Sequence, residues 1–97
     1  SLAQEIANKL WERNKLCLEK LNLLFERKNL YHSIYKNYLS LAKRKISIYM
    51  FNEERGIFKL IEKTIALASK IEEVTNTINS YEGDISDLIE KFMKIMA

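Results

Sequence analysis

From Ile57 onward the apolar residues return at alternating steps of three and four: Ile57, Leu60, Thr64, Leu67, Ile71, Val74, Ile78 and Tyr81. Thr64 is the only weak member of the set. A strand repeats every two residues and cannot keep such a series on one face, whereas an α-helix lines it up as a single stripe. Steps that average three and a half are the spacing of helices packed side by side along their length. The supply of turn formers agrees. The chain has two Gly and no Pro in 97 residues, and a sheet domain of that size needs many tight turns built from both. The expected fold is all-α.

The segment from Leu2 to about residue 50 shows the same period less cleanly. Leu10, Cys17, Leu24, Tyr31 and Tyr38 form one line spaced by seven. Trp11, Leu18, Phe25, His32, Leu39 and Ile46 form an adjacent line, and Leu21, Tyr35, Ala42 and Tyr49 a third. Asn14 and Lys28 interrupt this stripe, and Glu26-Arg27-Lys28-Asn29 is a polar run where the helix could bend or break. With no strong helix breaker near residue 28, a continuous helix is the preferred reading, with two shorter helices as the alternative. Apolar residues also stand off these lines, at Leu16, Leu23, Leu30, Ile34, Leu41 and Ile48. A helix that is apolar on more than one side has more than one neighbour.

Asn52 is a candidate N-cap, with Glu53 and Glu54 in a first turn that suits the helix dipole. Gly56 is out of place inside that turn, so the start could slip to it. The second helix is expected over about 53–81. Gly83 reads as its stop and Asp84 as the cap of a short third helix over about 85–96, with Ile85, Leu88, Ile89, Phe92 and Ile95 as its apolar side. The strand-like run Ile46 to Phe51 is read as a buried helix end, because the seven-residue lines pass through it. The short turn at 51–56 makes its flanking helices antiparallel neighbours. The expected architecture is one domain, 1–97: an antiparallel bundle of two to three long helices plus a short C-terminal helix, with coiled-coil-like packing. Leu67→Asp or Ile71→Asp should unfold it.

Charge is unevenly placed. Residues 1–26 carry four Glu and four Lys or Arg, and residues 53–97 carry nine acids and six bases. Between them, residues 27–52 hold Arg27, Lys28, Lys36, Lys43, Arg44 and Lys45 with no acid at all. One reading sets this basic stretch beside the acidic second helix. Another makes it a phosphate-binding surface, because Tyr31, Tyr35, Tyr38 and Tyr49 stand among the basic residues. Those tyrosines lie on the apolar lines, however, and are expected in the core or at its rim.

The chemistry of a catalyst is missing from the pattern. His32 is the single histidine, with no Cys or second His at ligand spacing. Asn29 stands three residues before it, where a di-metal bundle would place Glu. Two distant glycines cannot make a phosphate loop. No cofactor, metal or catalytic residue is expected. Cys17 is the only cysteine, so no disulfide can form within the chain and an oxidising compartment gains no support. It is read as a small buried apolar residue. No apolar run reaches the roughly 20 residues that span a bilayer, and no signal peptide is recognised. An intracellular, cytoplasmic setting is expected. The Ser-Leu start without Met would also suit an excised fragment.

Asn52-Glu53-Glu54 through Ile57, then Leu60-Ile61-Glu62-Lys63, Leu67 and Lys70-Ile71-Glu72-Glu73, resembles the second helix of small flagellar-type export chaperones. The resemblance covers less than a third of the chain and consists mainly of heptad spacing with Glu and Lys between. It implies a helical hairpin that holds an amphipathic helix of a client. The tyrosine-rich, acid-free stretch 27–52 departs from that pattern.

The function expected is therefore a non-catalytic helical protein–protein interaction module: an adaptor, assembly subunit or chaperone-like protein, self-associating or binding a partner helix. If the first helix is unbroken, it outruns the second by roughly 30 Å. Its N-terminal half, with Trp11, Leu18, Leu21 and Phe25, is then the candidate contact surface. The alternative is a nucleic-acid-binding accessory protein that uses Arg27, Lys28, Lys36, Lys43, Arg44 and Lys45.

Overall fold

A computed structural model describes residues 1–43, 47 and 56–97. Its regular structure is two helices, α1 over Leu2–Ala42 and α2 over Ile57–Met96, and no strand occurs among the described residues. The chain divides into two compact units. Unit 1 combines Ser1–Asn22 with Ile71–Ala97, and unit 2 is Leu23–Lys70.

In each unit a stretch of α1 packs against a stretch of α2, and the two run antiparallel. In unit 1, Glu5 shares a cleft with Leu88 and Lys91. Further along, Lys9 Nζ lies 3.5 Å from Asp84 Oδ2, and Arg13 Nη1 lies 3.7 Å from Glu82 Oε1. In unit 2, Leu23 and Glu26 line a cleft with Lys63, Leu67 and Lys70.

The α2 side of this packing is the stripe read from the sequence. Ile71, Val74, Ile78 and Ile85 are buried in unit 1, as are Ile57 and Leu67 in unit 2. Leu60, Thr64, Tyr81, Leu88 and Phe92 fill the intervening positions half-buried. Thr64 and Thr75 sit comfortably in a helix because each hydroxyl donates to a carbonyl one turn back, Leu60 O at 2.8 Å and Ile71 O at 2.7 Å. Each large aliphatic side chain removed from water contributes about 1.5–3 kcal/mol, so this stripe is the main source of stability.

The α1 side corrects the expectation. In unit 1 the residues turned toward α2 are Leu2, Ile6, Lys9, Arg13, Leu16 and Lys20; in unit 2 they are Leu23, Arg27, Leu30, Ile34, Asn37 and Leu41. Leu23 is buried and the others are half-buried. Their steps alternate four and three without an error. Leu16, Leu23, Leu30, Ile34 and Leu41, which stand off the stripe first identified, are thus the packed residues. Of the stripe itself, Trp11, Leu18, Leu21 and Phe25 face solvent, while Leu10, Cys17, Leu24 and Leu39 are half-buried. The seam was hidden because Lys9, Arg13, Lys20, Arg27 and Asn37 occupy it. Their stems cover apolar surface while their heads reach water or a partner.

Three boundaries also differ. There are two helices, not two to three plus a short one, because α2 runs straight through Gly83 and Asp84. Tyr81 to Ile85 is a step of four and Ile85 to Leu88 a step of three, so the stripe keeps its phase across the glycine. The packing so preserved outweighs the cost of about 1 kcal/mol for a helical glycine. The supposed third-helix face divides accordingly, with Ile85 buried, Leu88 and Phe92 half-buried, and Ile89 and Ile95 exposed.

Gly56, by contrast, is a true boundary. Its φ is +61°, a left-handed conformation that suits glycine, and its carbonyl accepts the Leu60 N–H at 3.1 Å. The start of α2 therefore does slip to this residue, and the proposed cap at Asn52-Glu53-Glu54 lies outside the described residues. At the other helix, α1 is unbroken through 26–29 and ends at Ala42, with Lys43 in a turn and Ser47 non-helical. The rest of the expected extension to residue 50 lies outside the described residues. Nor does α1 outrun α2: they have 41 and 40 residues, and residues 1–22 are paired with 71–97 in unit 1.

Candidate interaction surface

On a helix with a 3.5-residue repeat, positions two and five residues beyond a seam residue lie near the opposite side. Trp11, Leu18 and Phe25 each follow Lys9, Leu16 and Leu23 by two, which places them across the helix axis from α2. They are each 63% exposed, and Leu21 beside them is 61% exposed. All four residues of the expected contact surface are thus exposed, and the cause is different from the one first read. They are open because α1 is apolar on two faces and α2 covers one of them.

In unit 1, this outer face consists of Trp11, Leu18 and Leu21, with half-buried Leu10 and Cys17 along one margin. Glu12, Lys15 and Glu19 stand on the other margin. Lys15 pairs with Glu12 at 3.0 Å and its ammonium sits 5.9 Å from the Trp11 ring centre. Glu19 is exposed and has no ion pair among the described residues. The basic residues of this stretch that do cross to α2, Lys9 and Arg13, are turned inward toward Asp84 and Glu82.

In unit 2, the outer face of α1 carries Phe25, Tyr31, His32, Tyr35 and Tyr38. The tyrosines were expected in the core or at its rim; all three are about half exposed or more. His32 stacks on Tyr35 with ring centres 6.3 Å apart, and the Arg27 guanidinium lies 5.8 Å from the Tyr31 ring centre. Lys28, Lys36 and Lys43 are exposed without an ion pair among the described residues. Arg27 is half-buried on the seam, and Arg44 and Lys45 lie outside the described residues. The basic stretch therefore does not find its countercharge on α2 through these three lysines. The pairs seen between helices belong to unit 1.

The clefts lined by described residues are open in both units. Unit 1 has an open cleft of about 240 Å³ between Glu5, Asn8, Lys9, Glu12 and Tyr81, and unit 2 one of about 320 Å³ along Leu23, Glu26, Lys63 and Leu67. Both are open grooves, unlike the walled pockets that bury small ligands. Among the described residues no three His, Cys, Asp or Glu side chains gather closely enough to hold a metal, and no helix is long and apolar enough to cross a membrane.

No known protein family, curated protein or solved structure matches the chain. The class of protein is structural: an all-α protein of two antiparallel packed helices, with a row of large apolar residues on the uncovered side of α1.

Proposed function

We propose that this chain is a non-catalytic helical protein–protein interaction module, whose contact surface is the outer face of α1. The observation that carries the reading is the exposure of Trp11, Leu18, Leu21 and Phe25 on a regular helical face. Scattered exposed apolar residues are ordinary on any protein, but a contiguous row of large ones marks a place where another molecule sits. Trp and Phe are also the kinds of side chain that anchor protein interfaces. A heptad-spaced row fits an amphipathic helix, either from a partner or from the chain itself. A cytoplasmic setting accords with the unpaired Cys17.

The test compares the wild type with a triple variant, Leu18→Gln, Leu21→Gln and Phe25→Gln. The variant should keep its helical circular dichroism and melt within a few degrees of the wild-type monomer, because these side chains are outside the fold. The wild type should either assemble beyond a monomer or, as a monomer, bind an anilinonaphthalene dye that reports exposed apolar surface. The variant should do neither. A variant that unfolds, or a monomeric wild type that takes up no dye, contradicts the reading.

A second reading has its own observation. Tyr31, Tyr35 and Tyr38 are open to solvent among Lys28, Lys36 and Lys43, the combination on which single-stranded nucleic acid stacks. Under this alternative the chain is a nucleic-acid-binding accessory protein. Binding of a labelled oligonucleotide should then weaken steeply between about 50 and 200 mM salt. No shift at low salt removes the alternative.

A further inference from the structure

Within unit 2, the stretch of α1 from Arg27 to Lys43 holds no acid. The acid just before it, Glu26, belongs to another side of the helix, where it lines a cleft with Lys63 and Lys70 of α2. Tyr31, five residues on, stands on the opposite flank of α1, and Tyr38 follows it by seven. The exposed large side chains of this stretch are Tyr31, His32, Tyr35 and Tyr38. Its exposed ions are Lys28, Lys36 and Lys43, with no ion pair among the described residues. An ammonium only donates hydrogen bonds, and a phenol hydroxyl can donate as well. The surface is thus an aromatic floor edged with cationic donors, and its chemical complement is an apolar body that carries carboxylates.

The spacing says how that complement is built. Lys36 and Lys43 are seven residues apart, as are Tyr31 and Tyr38. At 1.5 Å per residue, seven residues span roughly 10 Å, the distance between equivalent positions in successive heptads of a second helix. A stacked nucleic-acid strand instead presents a phosphate about every 3.4 Å. Lys28, Lys36 and Lys43, spread over roughly 22 Å, would leave most of those phosphates unmatched. Resting on the reading of α1's outer face as an interaction surface, we infer that the part of it within unit 2 takes an acidic amphipathic helix of a partner protein. The apolar stripe of that helix lies on Tyr31, Tyr35 and Tyr38, and its Asp or Glu side chains stand beside Lys28, Lys36 and Lys43. Matching of charge selects such a helix over a basic one with the same apolar stripe.

Fluorescence anisotropy with two labelled model helices tests this. Each is about 21 residues long with Leu at the first and fourth positions of every heptad; one carries Glu and the other Lys at the flanking positions. The wild type should bind the Glu helix at least about tenfold more tightly than the Lys helix. Lys28→Glu/Lys36→Glu/Lys43→Glu, with its helicity checked by circular dichroism, should reverse that preference. If charge reversal unfolds the chain, Lys28→Gln/Lys36→Gln/Lys43→Gln carries the same test and should abolish the preference. Tyr31→Ser/Tyr35→Ser should weaken the Glu helix about tenfold or more. Equal binding of the two helices, or a preference that the lysine changes leave unmoved, overturns the proposal. A wild type that binds neither helix yet takes up the apolar dye also overturns it, but leaves the interaction surface standing; one that takes up no dye removes both. Binding of an oligothymidylate with the salt dependence above, and of neither helix, overturns it by assigning the face to nucleic acid. A dimer in sedimentation equilibrium that the lysine changes dissociate overturns it by assigning the face to a second copy.

Discussion

The two helices are nearly equal in length, yet they spend their apolar residues differently. Helix α2 supplies most of the core: of the seven apolar residues buried among those described, Ile57, Leu67, Ile71, Val74, Ile78 and Ile85 lie on its one stripe and Leu23 comes from α1, although α2 also exposes Phe58, Ile65, Ile89, Met93, Ile95 and Met96. Helix α1 divides its own between a seam shared with basic side chains and an outer row of Trp, Leu, Phe and Tyr. A helix with apolar residues outside its packed face can take more than one neighbour. The difference teaches that the amount of apolar surface on a helix does not say which face the fold uses. What decides is which face continues unbroken opposite the partner's stripe, even where a third of its members are lysines and arginines.

The largest effects should come from placing a charge within the α2 stripe. Ile71→Asp or Leu67→Asp buries an uncompensated carboxylate and should cost about 4 kcal/mol or more, enough to unfold a domain of ordinary stability. Ile65→Asp, on the exposed side of the same helix, should change stability by about 0.5 kcal/mol or less. Urea denaturation followed by circular dichroism separates the two. Equal losses at both positions would erase the claim that α2 packs through one stripe.

The two glycines sharpen the comparison at the next level, since they predict opposite signs. Gly56→Ala puts a side chain on a left-handed residue at the start of α2 and should destabilise by about 1 kcal/mol. Gly83→Ala replaces a glycine within the helix, where nothing lies within 4 Å of an added Cβ, and should stabilise by about 0.5–1 kcal/mol. A destabilising Gly83→Ala would restore the break that the sequence suggested there. The smallest effect is expected at the ion pair of unit 1. Lys9→Met removes the contact with Asp84 between partly exposed side chains and should shift stability by about 0.5 kcal/mol or less, and less again in high salt.

Much of α2 was legible because its stripe is nearly pure: seven aliphatic or aromatic members and one threonine up to Tyr81. The phase across Gly83 was legible too, in the step of four from Tyr81 to Ile85, but local turn chemistry spoke against it and packing prevailed. Helix α1 misled for a different reason. Apolarity alone picks out the row through Trp11, Leu18 and Phe25, whereas the packed face alternates Leu or Ile with Lys, Arg and Asn. Counting every third and fourth position from Leu2, whatever its polarity, would have found it. The four residues named as a candidate contact surface are exposed, though not through the overhang of α1 that the sequence suggested. The openness of Tyr31, Tyr35 and Tyr38 could not be read from their spacing, because that spacing suits either face of a two-sided helix.

One comparison within α1 reaches the centre of this account. Leu21 is 61% exposed and Leu23 is 8% exposed, although only one residue separates them. Leu23→Asp and Leu21→Asp should be measured side by side by urea denaturation, at concentrations low enough for the protein to be monomeric. Leu23→Asp should lose several kcal/mol, on the order of 3 or more, while Leu21→Asp stays within about 0.5 kcal/mol of the wild type. The reverse order, with Leu21→Asp unfolding the protein and Leu23→Asp tolerated, would mean that the outer row is the core and that the proposed interaction surface does not exist.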